Sequence, residues 1–513
     1  MVSYMPTAYS PSVDQNGIQT LSNMNIPYAD KERKRALLDA WKSYRGEFPP
    51  PLKIQPDQPN DNIISNRCAP IVDKGVSFLF GKTLNIEAAK ETTEPTNTVK
   101  DAIRAVWGDD DDRMTLLSQI GINGGITGMS FVKIMPPDMH HPHTRILPLD
   151  SCIVRVVTDN DDVSCILAYV IEYAMANEWN RRQIISRIDP NAPLGLDYDQ
   201  EMFVDHWIIT NYMRKGQIGS WQQTGEPDTW PYPFAPIDFC QNLPNPNETW
   251  GIPDLTPDLI GLNHSLNFIQ SNTSRIIKYH GHPKTWIIGM DADAVNTAVD
   301  DLICLPSSDS KIGNLEMVQT LTDQRNFAMD LRGHMDEQSR VPAIALGRET
   351  SLPRGDISGV ALKLLLQPIM EKTTLKQRLY GSLIRRVTRA ALVIEGVLSL
   401  DEYQNYEIQL HFQNIMPEDD LQAAQTALLL RQIGVSLQSV LNQLGFDPEQ
   451  EIERLKHEQA TIGDLLPQLS ATQKTQLAAS SPSGKGAINA GADIGAKPHK
   501  APVPSAKDPG GAK

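Results

Sequence analysis

The chain has 513 residues and a formal net charge of −15, from 62 acidic and 47 basic side chains. This balance argues against a protein that grips duplex DNA by neutralising its phosphates, because such a protein needs a surplus of Lys and Arg on the contact face. Five scattered cysteines without CxxC spacing predict neither a disulfide framework nor a zinc site, and the lack of any run of about 18 apolar residues predicts no membrane span.

The first 250 residues predict a mixed region in which helices precede strands. Helices are expected over 31–44, 62–80 and 114–122, where apolar residues recur every three or four positions. Gly124 and Gly125, with Gly128, are then expected to turn the chain into strands. Segments rich in β-branched residues predict these strands at 130–136, 145–149, 152–158, 165–173 and 202–213. The predicted fold class is therefore α+β.

Further along the chain, two helices are expected to flank a small β insertion. Thr256 supplies a capping hydroxyl and Pro257 a favourable first residue for a helix that runs to about His280. A second helix is expected from about Asp323 to Ser339. Between the two helices lie the strand-like segments KTWIIG and ICLP, the loop SSDSKIGN and the strand-like segment LEMVQ.

A long helix is predicted from Ser358 to Glu395. Asp356 or Ser358 offers an N-cap oxygen at its start. Its apolar stripe consists of Leu362, Leu365, Leu366, Ile369, Leu379, Leu383, Val387 and Ala391. Because Pro368 removes one backbone N–H inside this helix, a kink is expected over 364–367.

The C-terminal part predicts a strand, a helical cluster and a tail. EIQLHFQNI alternates like a strand, and Pro417 with the two acidic residues after it begins a helical cluster that extends to about Ala460. From Ser470 onward the chain is rich in Ala, Ser, Gly, Pro and Lys. Such a composition cannot bury enough apolar surface to become ordered.

Three motifs suggest a ligand, and each has a simpler interpretation. GVSFLFGKT (75–83) resembles a phosphate-binding loop, but the apolar residues between its glycines favour an ordinary helix end. The histidines of MHHPH (139–143) could bind zinc, but no further Cys or His at zinc spacing follows, which favours a solvated loop. The acidic clusters at 109–112 and 159–162 favour turns and helix N-terminal charges, although the second could hold a divalent ion at a subunit boundary.

No catalytic motif stands out in the sequence. Paired carboxylates, a Ser/His/Asp set, HExxH and GxSxG are missing or need improbable spacing. The protein is therefore expected to be non-enzymatic, without a cofactor or a metal.

Four stretches, in this order, resemble the phage portal protein family, the ring-forming proteins at the DNA vertex of tailed-phage heads. NIISNRCAPIVDKGVSFLFGKTLNIEA (62–88) is similar to the family's early helix, and YPFAPIDFCQNLPNPNETWGIPDLTPDLIGLNHSLN (232–267) to the Pro-rich segment before its first stem helix. SGVALKLLLQPIMEKT (358–373) is similar to the start of its long helix, and the stretch 412–458 to its crown. Each stretch alone is degenerate, whereas the ordered set is more specific.

The resemblance implies a portal fold that assembles as a closed ring, usually of twelve subunits. The implied regions are an N-terminal arm (1–28), an α/β wing (29–255), two stem helices (256–283 and 321–341), a small β-containing clip (284–320), a tunnel loop (342–358), the long kinked helix with the following strand (359–411), a helical crown (412–465) and a disordered tail (466–513).

The implied function is to nucleate head assembly at the unique capsid vertex, to conduct double-stranded DNA during packaging and ejection, and to dock head-completion and tail proteins. The residues expected to face the DNA channel are Arg348, Arg354 and Lys363. The clip residues expected to dock the terminase large subunit or an adaptor protein are Ser307, Ser308, Asp309 and Lys311. Major capsid and scaffold proteins are further expected partners. The expected location is the virion, and the host cytoplasm during assembly.

Two other classes of function stay open at this point. One is a nucleotide-driven DNA translocase or terminase subunit, which ATP binding and turnover by the purified protein would favour. The other is a structural ring or scaffold without DNA traffic, which neighbouring terminase and capsid genes would argue against.

Overall fold

The computed structural model describes residues 28–54, 60–88, 96–159, 162, 164–175, 179–188, 203–216, 220–246, 248–281, 285–288, 311–314, 321–348, 359–413, 420–444, 451, 454 and 456. Helices and sheets both occur in these ranges, which confirms the α+β class. The chain divides into two compact units, Met1–Asp419 and Asp420–Lys513.

The first unit contains most of the described elements. Its helices are α1 (Tyr28–Arg45), α2 (Cys68–Phe80), α3 (Thr96–Trp107), α4 (Asp110–Thr127), α5 (Pro257–Gly281), α6 (Thr322–Ser339) and α7 (Gly359–Ile394). Its strands are β1 (Leu84–Ala88), β2 (Met129–Met135), β3 (Arg145–Leu149), β4 (Val154–Thr158), β5 (Ile166–Ala174), β6 (Trp179–Ile188), β7 (Phe203–Lys215), β8 (Gln222–Gln223), β9 (Asp228–Trp230), β10 (Ile237–Gln241), β11 (Thr285–Ile288), β12 (Lys311–Asn314) and β13 (Ile408–Phe412). In the second unit, α8 (Asp420–Gln432) and α9 (Leu437–Leu444) pack together.

The strands of the first unit pair in antiparallel fashion. The largest sheet has the order β4-β5-β6-β7-β8, with β9 also paired to β7. A second sheet has the order β10-β2-β3, and two further pairs join β1 to β13 and β11 to β12. The five strand segments predicted before residue 215 are present. β6 was not predicted, because its run Asn180-Arg181-Arg182-Gln183 hides the apolar alternation of a strand.

The α7 helix supplies much of the apolar core of the first unit. Its 36 residues correspond to a length of about 54 Å. Buried residues of its stripe, such as Ile369, Leu383 and Val387, lie in the same core cluster as residues of α2 and α4. Tyr380 is fully buried and packs edge-to-face on Phe80 of α2, with ring centroids 5.8 Å apart. Pro368 lies inside α7, and the kink expected beside it stays a prediction.

Two glycines that were predicted to end α4 instead allow it to pack closely. Gly124 and Gly125 lie within the helix. A Cβ atom at Gly124 would lie 1.8 Å from the Tyr380 hydroxyl oxygen, so glycine is needed where α4 approaches α7. The turn into β2 is made at Gly128, whose φ of 82° is in the left-handed region that favours glycine.

The helix predicted over 62–80 begins only at Cys68, which corrects the prediction. The preceding residues use α5 as their hydrogen-bond partner. The backbone N–H groups of Ile63, Ser65 and Arg67 donate to Ser271 Oγ, Asn267 Oδ1 and Asn263 Oδ1 at 2.9, 3.0 and 3.1 Å. The side chain of Arg275 binds Asp61 at 2.7 Å as a fourth rung. We call these four contacts the 61–67 ladder. They match in spacing because two residues of an extended chain rise about as far as four residues of a helix.

The predicted helices around residues 256–395 are confirmed as α5, α6 and α7. The backbone N–H of Leu259 donates to Thr256 Oγ1 at 3.4 Å, as expected of a capping residue. One segment differs from its prediction, because Lys311–Asn314 was expected in a loop but forms β12, paired with β11. The predicted segments ICLP and LEMVQ, the N-cap candidates Asp356 and Ser358, the arm and the tail lie outside the described residues.

No helix in the described part of the chain is both long enough and apolar enough to cross a membrane.

Candidate functional site

A buried group of charges joins α7 to the segment before α5. The Asp254 carboxylate, which is fully shielded from solvent, accepts from Lys372 Nζ at 2.9 Å and from Lys376 Nζ at 2.5 Å. The Lys372 ammonium also donates to the carbonyl of Ser339 at the end of α6, at 2.8 Å. One carboxylate thus connects the start of α5, the end of α6 and the middle of α7.

This group contains two positive charges and one negative charge, and the pKa values of Asp254 and Lys376 are both lowered in it. Burial alone would raise the pKa of Asp254, but the two lysines hold it well below its ordinary value of 3.8. Burial lowers the pKa of Lys376 to about 8, against the opposing effect of Asp254. The network extends through Asn242, which donates to Asp254 at 3.2 Å and accepts from the Tyr380 hydroxyl at 3.1 Å. Such a junction fixes the base of the loop that connects α6 to α7.

The first residues of that loop are ordered by hydrogen bonds. Helix α6 ends at Ser339 and is capped by Arg340. The φ of 57° at Arg340 and the bonds from its backbone N–H to the Asp336 and Glu337 carbonyls turn the chain sharply. The Arg348 guanidinium forms an ion pair with Asp336, and its backbone N–H donates to Ala343 O at 3.0 Å. Arg348 is therefore held against α6.

The other two predicted channel residues have different positions in the chain. Lys363 is exposed in the first turns of α7, and Arg354 lies outside the described residues. Arg348 lies in the described first part of the loop, and Lys363 lies in α7, which follows the loop. Their role at a channel stays a prediction.

Of the predicted docking residues, Lys311 is described. It is exposed on β12, opposite Ile288 of β11. Trp286 and Ile288 expose 40% and 56% of their surface beside it, so the β11–β12 pair presents apolar side chains next to a positive charge. Ser307, Ser308 and Asp309 lie outside the described residues.

The described histidines and acidic residues of these motifs have partners or positions within the chain. His141 binds Asp138 at 3.0 Å while His143 binds Glu395 at 3.2 Å, so these rings face different partners. The 109–112 cluster forms the N-cap and first turn of α4. Across the described residues no group of three His, Cys, Asp or Glu side chains is placed to hold a metal ion.

The segment 75–83 does not form a phosphate-binding loop. Its first six residues belong to α2, and Val76, Leu79 and Phe80 among them are buried in the core. The backbone N–H groups of a helical segment are used by the helix itself, so they cannot cradle a phosphate.

Two arginines of α7, Arg386 and Arg389, form polar contacts within the chain. Arg386 binds Asp238 through Nε and Nη2, both at 2.8 Å, in the bidentate geometry that guanidinium favours. Arg389 donates to the Gln404 carbonyl at 3.0 Å. These contacts use both side chains within the chain.

The buried charges were missed by the sequence analysis, although a signal was present. The apolar stripe of α7 is interrupted between Ile369 and Leu379. Lys372 and Lys376 fill that gap at helical spacing, which places them on the buried face.

Residues 257–464 match the model of the phage portal protein family described as SPP1 Gp6-like. The match confirms the family resemblance predicted from the sequence, over the region that contains α5, α6, α7 and both described helices of the second unit. No curated protein matches the chain.

Several solved structures show a distant similarity. A chain of the virion of a native gene transfer agent (GTA) particle has 12% identity and a TM-score of 0.44, covering 80% of this chain and 94% of that chain. A chain from the neck of an empty GTA particle, computed with C6 symmetry, has 13% identity and a TM-score of 0.44. A chain from the neck of a native GTA particle, computed with C12 symmetry, has 13% identity and a TM-score of 0.40. Each of these two matches covers 74% of this chain and 90% of the neck chain. Similarity at this level carries no argument on function.

Proposed function

We propose that this chain is the subunit of a portal ring at the unique vertex of a phage-like head. The ring would contain twelve copies, the usual number in the portal family. The portal family match over 257–464 carries the proposal. In that range the order of elements agrees with stem, clip, stem and long helix. The helices α5 and α6 pack together, the β11–β12 pair lies between them in the sequence, and α7 follows after the loop.

The proposed activity is the passage of double-stranded DNA during packaging and ejection. An acidic chain suits this role, because weak or repulsive wall contacts let a duplex slide. The few basic side chains at the α6–α7 loop, Arg348, Arg354 and Lys363, would touch phosphates transiently. ATP hydrolysis would belong to the terminase, so the subunit itself is a non-enzymatic component.

The proposed partners follow from the same assignment. The clip, with exposed Lys311, Trp286 and Ile288, would dock the terminase large subunit and later a head-completion protein. Major capsid and scaffold proteins would contact the ring during head assembly in the host cytoplasm, and the mature location would be the virion.

The test begins with the purified chain, by negative-stain imaging and mass photometry. Closed rings with a central hole are expected, and a population of only monomers or dimers at micromolar concentration in several salts would contradict the ring.

The channel is tested with the double variant Arg354→Glu and Lys363→Glu, which leaves the Arg348–Asp336 pair intact. We expect rings to form and the DNA content of assembled heads to fall, because like charge is added around a channel that must admit phosphates. The matched control reverses two exposed lysines elsewhere, Lys53→Glu and Lys215→Glu, with the same change in net charge. A DNA content equal to that of the control would remove the channel assignment.

A further inference from the structure

Three arginines from separate elements lie near one another beside the α6–α7 loop, and two of them, Arg67 and Arg348, interact with one aspartate. Arg67 is the N-cap residue of α2 and the last rung of the 61–67 ladder. Arg332 and Asp336 lie one turn apart on α6, and Arg348 reaches Asp336 from the loop. These four residues are called the arginine cluster below.

The arginine cluster carries two positive charges more than its one carboxylate can balance. Asp336 forms its ion pair with Arg348, and among the described residues Arg67 and Arg332 have no carboxylate within ion-pair distance, although Asp336 acts on Arg67 from further away. Burial lowers the pKa of the Arg67 guanidinium, and the neighbouring charges of Arg332 and Arg348 lower it further. Burial also raises the pKa of Asp336 against the effect of Arg348. The cluster is therefore partly desolvated and short of negative charge.

One donor of each arginine in the cluster is shielded and unused. The Nε–H groups of Arg67, Arg332 and Arg348 are buried and contact no acceptor within the described part of the chain. A shielded donor without an acceptor costs on the order of 1–3 kcal/mol, more when it is charged. The planar fork of a guanidinium fits a carboxylate through two parallel hydrogen bonds. Unpaired guanidinium donors in such a group suit a single acidic partner.

We propose that Arg67 and Arg332 bind an acidic side chain of a second copy of this chain. Each copy carries 15 more acidic than basic side chains, so a carboxylate is readily supplied by a neighbour. A closed ring needs two different complementary faces on every subunit, and a basic recess on one face calls for an acidic residue on the other. Recessed donors suit one inserted side chain better than a duplex that slides past.

This inference rests on the proposed ring, and its test separates the two. The variants are Arg67→Gln and Arg332→Gln, which keep polar side chains but remove the charge and the fork. Mass photometry over a dilution series gives the concentration at which half of the subunits are assembled. We expect that concentration to rise at least about tenfold, equivalent to about 1.4 kcal/mol, for each variant. Arg332→Lys, which keeps the charge but not the fork, is expected to lie between Arg332→Gln and wild type.

The matched control is Arg325→Gln, an exposed arginine on the same helix, which should assemble like wild type. Wild-type rings together with unchanged assembly of both cluster variants would overturn the inference and leave the proposed function intact. Unchanged assembly combined with loss of packaged DNA would overturn it in favour of a phosphate contact. The absence of rings in the wild-type protein would overturn both.

A map of the wild-type ring provides a second measurement that does not depend on how the variants fold. A carboxylate of the adjacent subunit within about 3 Å of the Arg67 or Arg332 guanidinium is expected. A carboxylate of the same subunit in that position would overturn the inference.

Discussion

Asp254 and its two lysines show how one carboxylate can determine the stability of a core. The variant Asp254→Asn leaves two buried ammonium groups without a counter-charge. Because breaking such a buried ion pair is strongly destabilising, we expect the free energy of unfolding to fall by about 3–5 kcal/mol. Lys376→Met instead leaves the Lys372–Asp254 pair balanced, and a methionine fills a similar volume. We expect it to cost less than about 1.5 kcal/mol. Urea unfolding followed by circular dichroism measures both.

The control for this pair is Asp258→Asn, an exposed aspartate in the first turn of α5, which should change the free energy of unfolding by less than about 1 kcal/mol. A second readout is pH. Because burial lowers the folded-state pKa of Lys376 to about 8, below its ordinary 10.5, the folded protein releases this proton first. Wild type should therefore gain stability relative to Lys376→Met as the pH rises from about 8 to about 10.5. Equal costs for Asp254→Asn and Lys376→Met would contradict the charge imbalance.

At the same scale, sequence reasoning located apolar residues better than buried charges. Ile369, Leu383 and Val387 were expected on the buried face of α7 and lie there. The position of Lys372 and Lys376 on that face was visible in the spacing. Burial of these two charges requires the Asp254 carboxylate, which is 118 and 122 residues away in the chain. No local pattern predicts that partner.

At the scale of elements, the 61–67 ladder shows a helix serving as the hydrogen-bond partner of an extended segment. Asn263, Asn267 and Ser271 are buried on α5 at four-residue spacing. Asn267→Ala removes the acceptor of the Ser65 N–H and leaves that donor unpaired, which should cost about 1–3 kcal/mol. Hydrogen exchange followed by mass spectrometry should show faster exchange in peptides that cover 61–67.

Ser265→Ala on the same helix is the control, because this exposed serine donates to the Gly261 carbonyl of its own helix and not to the 61–67 segment. Its exchange pattern over 61–67 should match that of wild type. Unchanged protection in Asn267→Ala would show that packing, not the ladder, orders the segment.

The ladder also explains why a helix was wrongly predicted before Cys68. Ile63 and Ile64 suit an apolar stripe with Ile71 and Val72, and the periodicity alone favours a continuous helix. Asn66 stops a continuous helix from forming. Its side chain accepts from the N–H groups of Cys68 and Ala69, as a capping residue does, so α2 begins at Cys68. The partner of the preceding residues is α5, about 200 residues later, so only tertiary contacts decide their conformation.

For the whole molecule, the order of elements was more predictable than their contacts. The sequence predicted α5, α6, α7 and five strands before residue 215, because each has its own periodicity or cap, whereas β6 was missed. The arginine cluster and the buried charges each join residues from at least two distant segments. A single sequence contains no pattern for such pairs, and of the residues predicted as sites only Arg348 belongs to either group.

The division of the chain into two units leads to a last prediction, made with two truncations. The residues of both main apolar core clusters come from the unit Met1–Asp419, so a chain that ends at Asp419 should keep a cooperative thermal transition.

Removal of 471–513, a polar stretch without periodicity, should leave both that transition and the assembly state unchanged. Differential scanning calorimetry and mass photometry measure the two properties. Loss of the transition in the chain ending at Asp419 would show that the second unit is needed to fold the first, and loss of assembly on removal of 471–513 would identify the tail as an assembly arm.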